Sequence, residues 1–460
     1  MKEQTMKRWM LSAAIGYCAA TLPCHAAEPV QIPKEEFEQM LDSYQLVLRD
    51  YVEPADRKKL FTEAIRGMMS ALDPHSRYLD KADLEDLERI HSGQYVGIGI
   101  GVEMINGQVL IRDVAENSPA DKQGVRAGDS IVAIDGAPLF GLRDSQVASR
   151  VHGEPGTKVE LTLARRGNTP LRTLSVERAT LQEHTVTVQH LDGDIARIRI
   201  AEFGGNTAAE LIAALRQLDG PRPVKGIVLD LRNNPGGLLP AAVAVAGAFL
   251  PQGAMVFSST GRIPESNSKI TVSPRFYGKP GSADACEQLP AFAQDVPLAV
   301  LVNGASASAA ELVAGAIQDH GRGKLFGTRT YGKGSIQTVF PLTDESAIKL
   351  TIARYYTPNG REVQAQGIVP DVAIAPAVAR GDDALLFREA DMANHLPASS
   401  AVPETEASQR PVAEDSKTFG SAGDRALQAA IVQLHPALPS GQALGSVWRG
   451  ISAMLRLPGS

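Results

Sequence analysis

The chain has 460 residues, of which 43% are hydrophobic and 21% charged, with a formal net charge of −6. These values exclude a disordered or fibrous chain and suit a soluble globular protein with domains of roughly 150 residues each. No basic surplus is present to track phosphates, so nucleic acid is not an expected partner.

Residues 1–26 read as a cleavable signal peptide. Lys2, Lys7 and Arg8 lead an apolar run from Trp9 to Leu22, and Ala26 and Ala27 are small enough for cleavage. The run falls short of the ~20 apolar residues of a membrane span. The expected location is therefore the periplasm, with membrane association as the alternative. Cleavage removes Cys18 and Cys24 and leaves Cys286 alone, so no internal disulfide is expected.

Residues 33–92 carry two helical patterns. Phe37, Met40, Leu41, Tyr44, Leu46 and Val47 recur at 3–4 spacing, as do Phe61, Ile65, Met68, Met69 and Leu72. Asp73-Pro74 closes the second helix. So much apolar surface on a small helical unit predicts a docking or dimerising element.

Residues 93–180 differ. Short alternating strands are expected at 96–102, 109–114, 130–134 and 158–163, with turn signals Asn106-Gly107 and Asp135-Gly136 between them. With a short helix at 143–151, they make a β-rich module. Residues 183–375 then alternate strands (196–200, 226–231, 298–302, 324–326, 336–340, 348–353) with helices (207–218, 241–250, 309–319), an α/β core. Between 260 and 295 the sequence is long and polar, and reads as a functional or mobile loop. Residues 396–424 are rich in Ala, Ser, Pro, Glu and Gln and read as a disordered linker. Residues 425–460 form a tail with a weak amphipathic helix at 425–434.

Residues 327–335, GTRTYGKGS, nearly spell a phosphate-binding loop. Such a loop needs a hydroxyl directly after its lysine and a helix to follow. Here Gly334 follows Lys333, and Ser335-Ile336-Gln337-Thr338-Val339-Phe340 is a strand pattern. Nucleotide binding is therefore not expected, and no cofactor or metal is implied.

Ser308 lies after the buried strand 298–302, within Asn303-Gly304-Ala305-Ser306-Ala307-Ser308-Ala309-Ala310-Glu311, at a helix N-terminus. Free amides and the helix dipole favour negative charge there, and the Ala309 amide is placed to meet an oxyanion. Ser308-x-x-Glu311 is also a capping box, which accounts for the serine without chemistry. A nucleophilic serine needs a base. A free lysine titrates near 10.4, and burial lowers this by up to ~3–5 units. Three units correspond to about 4 kcal/mol that the fold must supply. Lys333, between two glycines and among apolar strands, fits that role, and Gln337 is placed to orient it through its amide oxygen without adding charge. Asp230-Leu231-Arg232-Asn233-Asn234-Pro235-Gly236-Gly237 ends another buried strand, where α/β folds place their sites. Gly236 or Gly237 could turn an amide toward the same oxyanion, or the stretch is a plain turn.

Together these stretches resemble the carboxyl-terminal processing (tail-specific) proteases, serine peptidases with a Ser/Lys pair. The resemblance is carried by ALDPHSRYL (71–79), SPADKQGVRAGDSIVAIDG (118–136), DLRNNPGGLL (230–239), NGASASAAEL (303–312), GTRTYGKGSIQT (327–338) and YYTPNGREVQAQGIVPDV (355–372). It implies a mixed α/β serine-protease core, with Ser308 as nucleophile, Lys333 as general base and Gln337 as its assistant. The β-rich module then looks like a PDZ domain, with Gly97, Ile98, Gly99 and Ile100 as the loop whose amides receive a peptide C-terminus. The family's third serine is Ala310 here, and His152-Gly153 stands where Arg-Gly is usual. The histidines suggest neither a triad nor a zinc site.

The expected activity is an exported endopeptidase that binds protein C-termini and cleaves through an acyl-enzyme. Family behaviour adds adaptor proteins and homo-oligomers through the terminal helical regions. The rival reading is a PDZ scaffold or chaperone on an inactive or partner-activated core.

Overall fold

The computed structural model describes residues 33–105, 108–139, 147, 150–165, 168–220, 224–278, 288–374, 388–399, 419–421 and 423–434. The expected signal peptide, Cys286, most of the helix expected at 143–151, most of the linker and the last part of the tail lie outside them. The chain divides into two units, residues 87–184 with 204–206, and the remainder.

Helices α1 (Lys34–Asp50) and α2 (Arg57–Ser70) open the chain, and neither buries a single residue. Asp56 caps α2 by accepting the Lys59 amide at 3.1 Å. The short strand β1 (Arg77–Leu79) and helix α3 (Lys81–Ser92) follow.

In the smaller unit, β2 (Gln94–Gly97) leads to β3 (Ile100–Ile105), β4 (Gln108–Val114), α4 (Pro119–Lys122), β5 (Ser130–Ile134), β6 (Ala137–Pro138), β7 (Lys158–Arg165), β8 (Asn168–Glu177) and β9 (Ala179–Gln182). Their main sheet runs β3-β4-β5-β7-β8, with β6 on β5, while β2 pairs with β9. Alternate strand residues turn inward, so Val109, Ile111, Ile131, Ile134, Val159, Leu161 and Leu163 make one core.

The larger unit holds β10 (Val186–Leu191), β11 (Ile195–Ile200), α5 (Thr207–Leu218), β12 (Gly226–Asp230), α6 (Leu239–Phe249), β13 (Met255–Gly261), β14 (Ser268–Thr271), α7 (Pro274–Tyr277) and α8 (Phe292–Asp295). They are followed by β15 (Leu298–Val302), α9 (Ala309–Asp319), β16 (Gly323–Gly327), β17 (Ser335–Thr343), β18 (Ser346–Tyr356), β19 (Val372–Ala373) and α10 (Arg425–Leu434). One sheet runs β10-β11-β12-β15-β16-β19, parallel from β11 onward. Its strands are apolar on both faces. Ile198, Leu229 and Val300 enter the main core with α5, α6 and α9. Ile195, Val228 and Leu301 enter a second core closed by Ala426, Leu427 and Ala430 of α10. Uninterrupted apolar strands are what a parallel sheet covered on both sides requires. The second sheet runs β1-β18-β13-β14, with β17 also on β18.

Two expectations are corrected. The polar stretch 260–295 is not a bare loop. It completes β13, supplies β14 as the partner strand through the pair Phe257–Ile270, and adds α7 and α8. The end of the expected linker is not loose either, because Phe419 and Asp424 pack against the core. The Phe419 ring lies 3.8 Å from the Arg232 guanidinium, and Asp424 accepts two hydrogen bonds from it at 2.8 Å.

Candidate active site

The α/β core brings three loops together at the C-terminal ends of β12, β15 and β16. The β12 loop is pinned to the β15 loop through side-chain amides. The Asn233 amide donates to Asn303 Oδ1 at 3.0 Å, and Asn303 Nδ2 returns a bond to Asn233 Oδ1 at 2.7 Å. Ser306 Oγ donates to the Leu231 carbonyl at 2.8 Å, and the Ala307 amide to the Asn234 carbonyl at 2.9 Å.

Ser308 stands immediately before α9 at φ 54°, ψ −116°. Non-glycine residues seldom adopt positive φ, and such strain gathers at functional sites. Its hydroxyl does not cap the helix; the Glu311 amide goes instead to the Ser308 carbonyl at 2.9 Å. Half of the capping box is realised, since the Ser308 amide donates to Glu311 Oε2 at 2.8 Å.

Glu311 does more than close that box. Fully buried, its carboxylate also accepts from Thr330 Oγ1 at 2.5 Å, the Gly332 amide at 2.7 Å and the Lys333 amide at 2.9 Å. Burial pushes its pKa up to about 7, against the pull of these bonds. One carboxylate thus holds the backbone of the serine and that of the lysine. Tyr355 makes a second tie. Its buried hydroxyl lies against the carbonyls of both Ser308 and Lys333. Burial raises its pKa well above the usual value and keeps the phenol protonated.

Lys333 is partly buried, and its pKa is lowered chiefly by that burial; Glu389, Glu311 and Asp73 oppose the shift. Among the described residues its amine has no ion pair or hydrogen-bond partner. Lys349, on β18, has its pKa lowered to about 8 by burial first and then by Lys333 and Arg77. Two lysines therefore repel one another here, which favours the neutral form of each. Gly334 must be glycine, since a Cβ would meet the Gln364 amide nitrogen at 2.2 Å.

Gln337 sits in β17 just past a register shift, while Lys333 precedes the strand, so strand parity does not set their relation. The Gln337 amide nitrogen donates to Ser335 Oγ at 2.9 Å and Thr351 Oγ1 at 3.1 Å. Thr351 Oγ1 in turn donates to Asp73 Oδ1 at 3.1 Å. Spending its donors there leaves the Gln337 oxygen as an acceptor. Asp73 is also held by Ser76 and the His75 amide, which gives ALDPHSRYL a place in the site's second layer.

The oxyanion candidates separate. The Gly236 amide is committed to Asn234 Oδ1 at 2.8 Å. The Gly237 and Ala309 amides have no acceptor among the described residues. Gly236 instead gives clearance: at φ 105°, a Cβ there would lie 2.8 Å from Ser308 Cβ.

In the smaller unit, Gly97 ends β2 and Ile100 begins β3. The Ile98 side chain is buried in that unit's core. The Ile98 and Gly99 carbonyls accept the Ala120 and Ala115 amides at 2.9 Å each. The Ile98 and Gly99 amides have no acceptor among the described residues. His152 lies 6.3 Å from Tyr95, ring to ring.

Sequence reading missed Asp73, Thr330, Lys349, Tyr355 and Glu389 as members of this site. It had Glu311 only as a cap.

Residues 194–374 match the model of peptidase family S41, residues 96–177 that of the PDZ domain, and residues 14–83 that of the activating protease CtpB N-terminal domain. The chain is 37% identical over 361 residues to the carboxy-terminal-processing protease of Bartonella bacilliformis, covering 77% of this chain and 79% of that one. It is 32% identical over 338 residues to the carboxy-terminal processing protease CtpA of Bacillus subtilis, covering 73% and 68%. Among solved structures it is similar to the photosystem II D1 C-terminal processing protease, at 32% identity, covering 73% of this chain and 86% of that one, with a TM-score of 0.41.

Proposed function

The chain belongs to the carboxy-terminal processing proteases of peptidase family S41, serine-type peptidases with a PDZ domain, and on that premise we propose that Ser308 is its nucleophile and Lys333 its general base. Neutral Lys333 takes the proton of Ser308 Oγ as the oxygen attacks the scissile carbonyl. The Ala309 and Gly237 amides hold the oxyanion. Collapse expels the new amine, which takes its proton from the Lys333 ammonium and leaves an ester on Ser308. Water, deprotonated by Lys333, then releases the acyl group. Gln337 orients the amine through its free oxygen.

One observation carries this reading: the Glu311 carboxylate joins the Ser308 amide to the Gly332 and Lys333 amides. A buried carboxylate spent on joining those two backbones has no purpose in a mere helix cap. The PDZ unit presents protein C-termini to the core, with the Ile98 and Gly99 amides receiving the terminal carboxylate. The protein is exported to the periplasm by its leader, works as a homo-oligomer and takes an adaptor.

The test is cleavage of an unstructured protein by the full chain. Ser308→Ala and Lys333→Ala should each abolish it. Lys333→Arg should not rescue it, because a guanidinium stays charged. Full activity in the Ser308→Ala protein would end the assignment. Labelling of the wild type by a fluorophosphonate, absent in Ser308→Ala, separates a peptidase from an inactive scaffold.

A further inference from the structure

We propose that Glu389, between β19 and α10, is a positioning residue for the reaction: it holds the loop of Lys333 on both sides and supplies the counter-charge to the ammonium that Lys333 becomes. This rests on Lys333 being the general base.

Glu389 lies in the segment 388–399, past the last strand of the core. It is fully buried, which is rare for a glutamate that lacks partners. Its amide and both of its carboxylate oxygens are engaged in the site. The amide donates to the carbonyl of Tyr331, two residues before Lys333, at 3.1 Å. Oε1 accepts from Gln364 Nε2 at 2.9 Å, and Gln364 Oε1 accepts the amide of Gly334, the residue after Lys333, at 2.9 Å. Oε2 accepts from His75 Nε2 at 2.7 Å. The His75 amide donates to Asp73 Oδ1 at 2.9 Å. The same oxygen accepts from Thr351 Oγ1, which takes the Gln337 amide. One carboxylate therefore joins both flanks of the lysine to the residues that support Gln337.

A brace alone would not need a charge here. A carboxylate stripped of water is costly unless hydrogen bonds and an opposite charge answer it. His75 and Gln364 supply the bonds, and the ammonium of Lys333 is the charge. Of the carboxylates around Lys333, Glu389 favours that ammonium most, ahead of Glu311 and Asp73, while Lys349 opposes it. Around Glu389 stand His75, Tyr331 and Tyr355; on its own segment Arg388 faces Asp391 at 3.7 Å. Burial keeps the resting amine neutral. Glu389 eases the charge that the amine takes up as Ser308 Oγ gives its proton to Nζ. That proton later passes to the leaving amine, and Glu389 takes none, as with the aspartate of a Ser-His-Asp triad.

The test is acylation of the full-length enzyme by a fluorophosphonate across pH, with cleavage of an unstructured protein giving kcat and KM. Glu389→Gln keeps the shape and the acceptor for Gln364 but removes the charge. Its rate limb should move to lower pH, because the ammonium loses support. Its plateau should fall by roughly 10- to 10²-fold, the scale of one hydrogen bond to a charged group, and the loss should sit in kcat rather than KM. Glu389→Asp keeps the charge but not the reach. Its plateau should fall too, while its limb stays nearer the wild-type pH than that of the glutamine variant. Lower plateaus with neither limb moved, or a glutamine variant with wild-type rates at every pH, overturn the proposal and leave Lys333 standing. If melting curves show that the glutamine variant does not fold, the aspartate variant decides, and a wild-type plateau there overturns the proposal. Acylation of Lys333→Ala at the wild-type rate overturns the base and the role of Glu389 with it.

Discussion

At the scale of single residues the site turns on the charge of one amine. If Lys333 is the general base, as proposed, activity requires it neutral, and the rate should rise with pH through a pKa that burial holds below the ordinary lysine value. Two neighbours should move that limb in opposite directions. The Glu311 carboxylate favours the ammonium, so Glu311→Gln should shift the limb to lower pH. It should also lower the plateau, by roughly 10- to 10²-fold in kcat if the loss amounts to one such bond at about 1.5–3 kcal/mol. An amide cannot replace the carboxylate, because either orientation sets its NH2 against a backbone N–H that now has an acceptor. A residue that only braced the fold would lower the plateau without the acid shift. Lys349 acts the other way. Its charge disfavours a second charge at Lys333, so Lys349→Met should move the limb to higher pH. Rate profiles of acylation by a fluorophosphonate read both shifts, and movement of the two limbs in the same direction would contradict this electrostatic account.

At the scale of elements, the β12 loop is held from behind by the tail. Arg232, 2% exposed, is shared between Asp230 and Asp424, and Asp424 also accepts the Leu427 amide at the start of α10. Asp424→Ala leaves a buried guanidinium with only half of its carboxylate partners and removes a helix cap. Breaking a buried pair costs about 3–5 kcal/mol and a lost cap typically about 1 kcal/mol. Urea unfolding should register a loss of that order, with weaker proteolysis because the loop bearing Gly237 loses its brace. A change under 1 kcal/mol would mean that the tail packs without supporting the loop. How much of this is legible in sequence depends on where each signal lies. The strands at Gly226–Asp230 and Leu298–Val302 are unbroken apolar runs, and helix Arg425–Leu434 has an apolar stripe; local pattern suffices for both. Strand Ser268–Thr271 reads S-K-I-T, with one apolar residue, and exists because Met255–Gly261 pairs with it; no local pattern announces that. Ser308 and Lys333 are legible as residue types in context. Glu311 is legible only as a cap, because its other partners lie 19 to 22 positions away. Asp73 and Glu389 join through contacts longer still.

For the molecule as a whole the two terminal helical regions part company. Helix α10 spends its apolar face on its own sheet, where Ala426, Leu427 and Ala430 are buried, so it is not available to hold a second copy. Helices α1 and α2 bury nothing, and Phe37, Met40, Leu46, Phe61 and Met68 are each more than two-fifths exposed. Single exposed apolar residues are ordinary, but this many on two adjacent short helices make a patch that water penalises. The economical cover is the same surface of another copy about a two-fold axis. The full chain should therefore run as a dimer or a higher closed oligomer in light scattering at micromolar concentration. Phe37→Ser with Phe61→Ser should give monomers. The α/β core should melt as before, because these side chains contribute nothing to it. A wild-type monomer would return the patch to the adaptor. Monomers that kept full activity on an unstructured protein would show that assembly serves something other than the alignment of Ser308 and Lys333, since Glu311 and Tyr355 already join those two backbones within one chain.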